Sequence, residues 1–311
     1  MAQQESTSSK LIGKVREISR GAPAPLGFGR APAQRIQSML LLVRLGRNEA
    51  SLAEAAVAAG ADALVCHLYG SRGGPSRSGE ASQGAEAAPG PETQQQSEVQ
   101  FRGLAEERPN LEAILKVARG RPVGVAVGTA GTITMDDLNE LARMGIDFVA
   151  IHPQRAPATL LGIEALGHVV QLDREYPSGP LRGINELGID AVELTIGRPD
   201  NSLPQLTIHD LANFRQLIDS IRRPVLVPTA WAAQASDLTF FHGVGVEALV
   251  LTPELLGEGP ENVRARVAEY RQAIDRLPPP IGRGRALEGR RVVLPQVKVQ
   301  AGGEEEEDDD E

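Results

Sequence analysis

The sequence predicts an α/β fold: an eight-stranded parallel barrel of alternating strands and helices, with an N-terminal helix before it and a disordered acidic C-terminal tail after it. Three observations carry this. One phrase recurs four times: Gly60-Ala-Asp-Ala-Leu-Val-Cys-His67, Gly145-Ile-Asp-Phe-Val-Ala-Ile-His152, Gly188-Ile-Asp-Ala-Val-Glu-Leu-Thr195 and Gly245-Val-Glu-Ala-Leu-Val-Leu-Thr252. In each, a glycine closes a helical stretch, where a left-handed backbone is cheap for it. A short apolar strand follows, ending on a polar residue five positions past the acid. A second phrase, Arg121-Pro-Val-Gly-Val and Arg223-Pro-Val-Leu-Val, precedes the second and fourth copies. It makes units three–four and seven–eight alike and half a barrel apart. Finally, the gaps between copies hold candidates for the remaining strands.

In chain order, Leu11, Ile12, Val15 and Ile18 stand at helical spacing, so residues 10–21 predict an amphipathic helix. The Pro/Gly-rich run 22–37 is a connector. The first strand is 39–45, and helix 51–59 follows with Ser51 and Glu54 as a capping box. The second strand is 63–68. Residues 70–109 carry little apolar content, so they predict a disordered insertion at the C-terminal mouth of the barrel. A lid and a tolerated insertion are both consistent with it.

Helix 110–119 leads to strand 123–129, and Thr134 with Asp137 caps helix 135–144. Strand 148–152, helix 157–166, strand 169–173, helix 179–187 and strand 191–196 come next. Thr207 and Asp210 cap helix 208–222, before strand 225–229, helix 236–243, strand 248–252 and helix 261–276. The three-proline run 278–280 ends that helix, and 292–297 is a candidate external strand. The domain reading is 1–37 for the N-terminal helix and connector, 38–278 for the barrel, and 279–311 for the extension and acidic tail. Over residues 38–278 the sequence resembles the broad (β/α)8-barrel superfamily. The resemblance implies an architecture and no particular chemistry.

Bulk properties narrow the function. The 311 residues are 41% hydrophobic, enough for one barrel of about 250 residues. No apolar run reaches the roughly 18–20 residues that would span a bilayer, and the N-terminus lacks the order of a signal peptide. With Cys66 as its one cysteine, a cytoplasmic protein is the plain reading. Residues 304–311 are all acidic and supply most of the net charge of −9. The remainder has no basic stripe for nucleic acid. Homo-oligomerisation is left open.

Strand alternation fixes the faces. Glu193 and Thr195 point into the barrel, as do Phe148, Ala150 and His152, Gln171 and Asp173, and Val65 and His67; Cys66 turns outward under the helices. His67, His152, Thr195 and Thr252 share one interior layer at the C-terminal end, and Glu193 lies one layer deeper with Val65, Ala150 and Val250. A buried carboxylate is costly unless paired, which singles Glu193 out as a general base or as an internal ion pair with Arg44. His67 and His152, with Asp173 orienting one of them, would be acid/base partners or ligands of a divalent metal. Arg44, Arg155, Arg174 and Arg198 gather at the same mouth and suit a small anionic metabolite, with Thr195 and Thr252 beside them. His168 begins its strand at the opposite, stability face.

These residues suggest acid/base chemistry of isomerase or lyase type, proton abstraction next to a carbonyl among them. A flavin-dependent oxidoreductase is the runner-up, and its FMN phosphate would meet glycine-poor loops after strands seven and eight. A non-catalytic interaction protein is the third reading. Schiff-base chemistry lacks its amine: Lys10, Lys14, Lys116 and Lys298 are the only lysines, and none ends a strand.

Overall fold

A computed structural model describes residues 9–20, 37–70, 101–173, 176–195, 206–229 and 234–279. The strands β1 (Leu40–Arg44), β2 (Ala63–Leu68), β3 (Val123–Val127), β4 (Phe148–Ile151), β5 (Gly167–Asp173), β6 (Ala191–Thr195), β7 (Val225–Pro228) and β8 (Ala248–Leu251) pair in sequence order. All pairings are parallel, and β8 returns to β1 to close the barrel. The helices are α1 (Lys10–Arg20), α2 (Ala50–Ala58), α3 (Leu104–Val117), α4 (Met135–Met144), α5 (Ser178–Glu186), α6 (Ile208–Ser220), α7 (Leu238–Val244), α8 (Pro253–Leu256) and α9 (Pro260–Asp275).

The predicted faces hold. Cys66 packs in the outer core between sheet and helices. Val65, Phe148, Ala150, Val169, Leu226 and Val250 fill the interior. One large ring, Phe148, occupies the lower layer. A Cβ added at Gly124 would sit 2.2 Å from that ring, so this glycine is required by close approach.

The interior cluster also contains Leu11, Ile12, Val15 and Ile18 of α1, all buried. The N-terminal helix is therefore a plug in the bottom of the barrel. The acids of the repeated phrase fasten that end. Asp147 accepts hydrogen bonds from Ser9 Oγ at 2.6 Å and from the amides of Lys10 and Leu11 at 2.8 and 3.0 Å, capping α1 from another part of the chain. Asp190 accepts from Arg16, and Glu247 from Ser19 Oγ. Asp62 turns outward to Arg271 of α9, at 3.0 Å.

Several boundaries differ from the sequence reading. Ser51 and Glu54 form no capping box: α2 begins at Ala50 with Glu49 before it, which places Ser51 inside the helix. The stretch 157–166 holds a 3₁₀ helix (Ala158–Gly162) in place of an α-helix. Helix α3 starts at Leu104 and contains Pro109 in its second turn, where the ring removes one intrahelical hydrogen bond. Residues 101–109 therefore belong to the fold, and Phe101, Leu104 and Glu107 are buried. Gly60, Gly145 and Gly245 adopt the left-handed conformation at φ 102°, 90° and 98°. Gly188 does not, because Leu187 ends α5 in an extended conformation. The connector, the core of the 70–109 insertion, segment 292–297 and the acidic tail lie outside the described residues.

Candidate functional site

The pairing registers place Val65, Ala150, Glu193 and Val250 at one interior level and His67, His152, Thr195 and Thr252 one step nearer the C-terminal mouth. Arg44 and Gln171 fall between the two levels. Glu193 lies beside Gln171 on the neighbouring strand. Its side chain is almost fully shielded, at 4% exposure, and both oxygens are engaged. Arg44 Nη2 donates to Oε2 at 2.5 Å, and Gln171 Nε2 donates to Oε1 at 3.1 Å. The buried carboxylate is thus balanced by a cation and an amide, as burial of charge demands.

His67 stands above this network. Burial, and then the nearby Arg44 charge, push its ring down to about 3, so it is neutral in ordinary buffers. Among the described residues, its Nε2 is shut from water without a partner, as is Arg44 Nε. Phe101 stacks on the imidazole with centroids 4.5 Å apart. The backbone of Phe101 is fixed by its N–H donating to Gly70 O at 2.7 Å, so the two ends of the insertion meet beside His67.

The other expected residues are placed as follows. His152 follows β4, and its Nδ1 accepts from the amide of Gln154 at 3.4 Å; Tyr176 meets its ring edge-on at 6.4 Å. Asp173 and Thr195 are paired neighbours at the exits of β5 and β6, both half-buried. The Thr252 hydroxyl donates to Thr229 O at 2.9 Å, tying β8 to β7. Arg155 donates to Gly131 O at 2.5 Å and so braces the β3 exit loop. Arg174 and Arg198 lie outside the described residues, as does the loop after β7 from 230 to 233. Among the described residues, no three His, Cys, Asp or Glu side chains gather to hold a metal ion. His168 sits at the opposite end, with its ring nitrogens each 3.2 Å from a backbone oxygen, of Gly188 and of Ile163.

Sequence reasoning missed Asn48 and Glu107. Asn48 Nδ2 donates to His67 O at 2.8 Å and its Oδ1 accepts from His67 N at 3.0 Å, so the amide acts as one more strand residue beside β2. The same Nδ2 reaches Glu107 Oε2 at 3.0 Å. Glu107 and burial together raise the Cys66 thiol well above its ordinary range, burial more strongly, so that thiol is inert. The available signal was an amide side chain in the turn leaving the first strand, where loop residues meet the mouth.

No protein-family model matches the chain, and no curated protein matches it. Solved structures share its fold. Tryptophan synthase from M. tuberculosis aligns with TM-score 0.55 at 13% identity, covering 86% of this chain and 98% of that one. A tryptophan synthase complex from Pyrococcus furiosus gives 0.52 at 13%, covering 76% and 98%. KGPDC from Streptococcus mutans gives 0.51 at 13%, covering 77% and 98%. At that identity the likeness is one of fold: the chain is an α/β barrel of the kind these enzymes use. Among the described residues, no helix is long and apolar enough to cross a membrane.

Proposed function

We propose that the chain is an enzyme acting on a small anionic metabolite at the C-terminal mouth, by acid/base chemistry of isomerase or lyase type. The observation that carries this reading is the buried Arg44–Glu193–Gln171 network on the floor of the mouth, with Arg44 Nε and His67 Nε2 left unpartnered above it. Native structures rarely leave buried donors unpaired, and those that remain call for a water or a ligand. Glu193 is the base: each carboxylate oxygen has one hydrogen bond here and lone-pair capacity for a second. His152 and Asp173 serve proton transfer at the rim, and Arg155 is assigned to the anionic end of the substrate; Arg174 and Arg198, outside the described residues, are proposed for the same role from the sequence. Fold likeness to barrel enzymes supports an enzyme in general and says nothing of the substrate.

A screen of carboxylated and phosphorylated metabolites by native mass spectrometry and thermal shift tests the reading. At least one anion is expected to bind, and Glu193→Gln is expected to abolish its turnover while circular dichroism stays native. Unchanged turnover in that variant would remove Glu193 from the site. A second reading has its own support: with Phe101 on His67 and Arg44 paired to Glu193, the network is an internal brace of a non-catalytic barrel. An absence of any bound metabolite would favour it.

A further inference from the structure

The charge inventory of the floor narrows the kind of group it can receive. Arg44 is the floor's cation, and Glu193 balances it through a 2.5 Å contact whose carboxylate side chain is 4% exposed. A second anion driven down to that guanidinium would place two negative charges around one cation in a poorly hydrated interior. Attraction to Arg44 would then be offset by repulsion from Glu193 and by loss of hydration. An uncharged oxygen meets neither cost. The two polar atoms waiting for a partner, Arg44 Nε and His67 Nε2, are a nitrogen-bound hydrogen and a neutral imidazole nitrogen able to carry one.

We infer that the floor seats a carbonyl oxygen between Arg44 Nε and His67 Nε2, with the ligand's anionic end held at the rim. This rests on the acid/base reading above and names its substrate class: a carbonyl compound with an acidic C–H beside the carbonyl. The step balances without an oxidant. Glu193 takes the proton as the C–H bond breaks. That electron pair becomes the C=C bond of an enol, and the carbonyl π pair moves onto oxygen. The Arg44 and His67 hydrogens meet the growing charge, and as the carbonyl re-forms a proton returns to the α-carbon. Donors already aimed where charge develops stabilise such a step most. A neutral imidazole suits the task, because it can donate without first adding a positive charge beside Arg44.

The test uses the full chain with ¹⁵N-labelled histidine, the His67 signals being assigned by their loss in His67→Gln. Hydroxyacetone is the uncharged carbonyl probe; acetate and inorganic phosphate are the oxyanion probes. Hydroxyacetone is expected to shift the His67 Nε2 resonance and to take up deuterium from D2O at its α-carbons in an enzyme-dependent manner. Exchange should fall by about 100-fold in Glu193→Gln. Arg44→Lys, which keeps the positive charge but lacks Nε–H, should lose the Nε2 shift while its circular dichroism remains native. Acetate and phosphate should leave Nε2 unmoved. The inference is overturned if either oxyanion moves Nε2 while hydroxyacetone does not, or if none of the three does. Deuterium uptake that depends on Glu193 while Nε2 stays unmoved would overturn it and leave the broader acid/base reading standing.

Discussion

The two ends of the barrel are built from the same four-fold phrase, yet they treat their polar residues differently. At the N-terminal end the acid of each copy accepts a backbone amide: Asp62 from Leu41, Asp147 from Lys10 and Leu11, Asp190 from His168, and Glu247 from Val225. Three of the four also hold the plug helix. At the C-terminal end the last residue of each copy follows no shared rule. Thr252 ties β8 to β7, His152 accepts from its own loop, and His67 keeps a buried nitrogen without a partner. At the bottom all four acids of the phrase are engaged by the chain itself; at the mouth, among the described residues, Arg44 Nε and His67 Nε2 are not. That contrast matches the division of labour in such barrels, stability below and chemistry above.

The largest expected effect tests the mouth. Arg44→Met strands Glu193 as an unpaired buried charge, which costs about 3–5 kcal/mol. The double variant Arg44→Met/Glu193→Leu removes both charges and should recover most of that loss in urea unfolding. If the double variant is stable and also loses metabolite binding, the pair serves the ligand. If Arg44→Met alone stays within about 1 kcal/mol of the parent, water reaches the floor and its buried charges are no argument for a site.

A smaller effect tests the bottom. Asp147→Ala removes the cap of α1 together with the Ser9 contact and should cost about 1–2 kcal/mol. Hydrogen exchange should quicken at Leu11, Ile12 and Val15 and stay unchanged at the exits of β1 and β6. Equal quickening at both ends would mean that the barrel opens as one unit, and the contrast between its ends would lose its energetic meaning.

How much of this was legible in the sequence follows from the same contrast. Period-two alternation placed Phe148, Glu193 and Val250 inward and Cys66 outward, because successive side chains of a strand point to opposite faces. The Arg44 partner of Glu193 was legible as an alternative, since an interior carboxylate needs a cation. The plug was legible only as an amphipathic helix; nothing local says that Leu11 and Val15 enter the barrel from below. The Ser51–Glu54 motif misled because a Ser three residues before a Glu caps a helix only at its start, and α2 starts one residue earlier. The start of α3 reads as 110 because residues 70–109 carry little apolar content, yet Phe101 and Leu104 are buried. Asn48 and Phe101 escaped because their contacts with His67 link separate loops, which no spacing rule encodes.

The smallest effect near neutral pH, growing as pH falls, concerns His67. Its folded value is about 3 against an ordinary 6.5, so the native state resists the proton that the unfolded chain accepts. Above pH 6.5 neither state binds it, and His67 contributes no pH dependence. Between 6.5 and 3 the unfolded chain carries the extra proton, so stability falls as pH falls, by up to about 1.4 kcal/mol per pH unit. Below about 3 both states are protonated and this slope vanishes. His67→Gln keeps a polar group of similar reach without the titration, so parent and variant should lose stability at different rates. Their urea midpoints should converge by on the order of 2 kcal/mol between pH 7 and pH 5, relative to their separation at pH 7. Parallel curves across that window would mean that His67 takes up its proton in the folded protein. The ring would then be hydrated and charged in mild acid, and the mouth would be as well satisfied as the bottom.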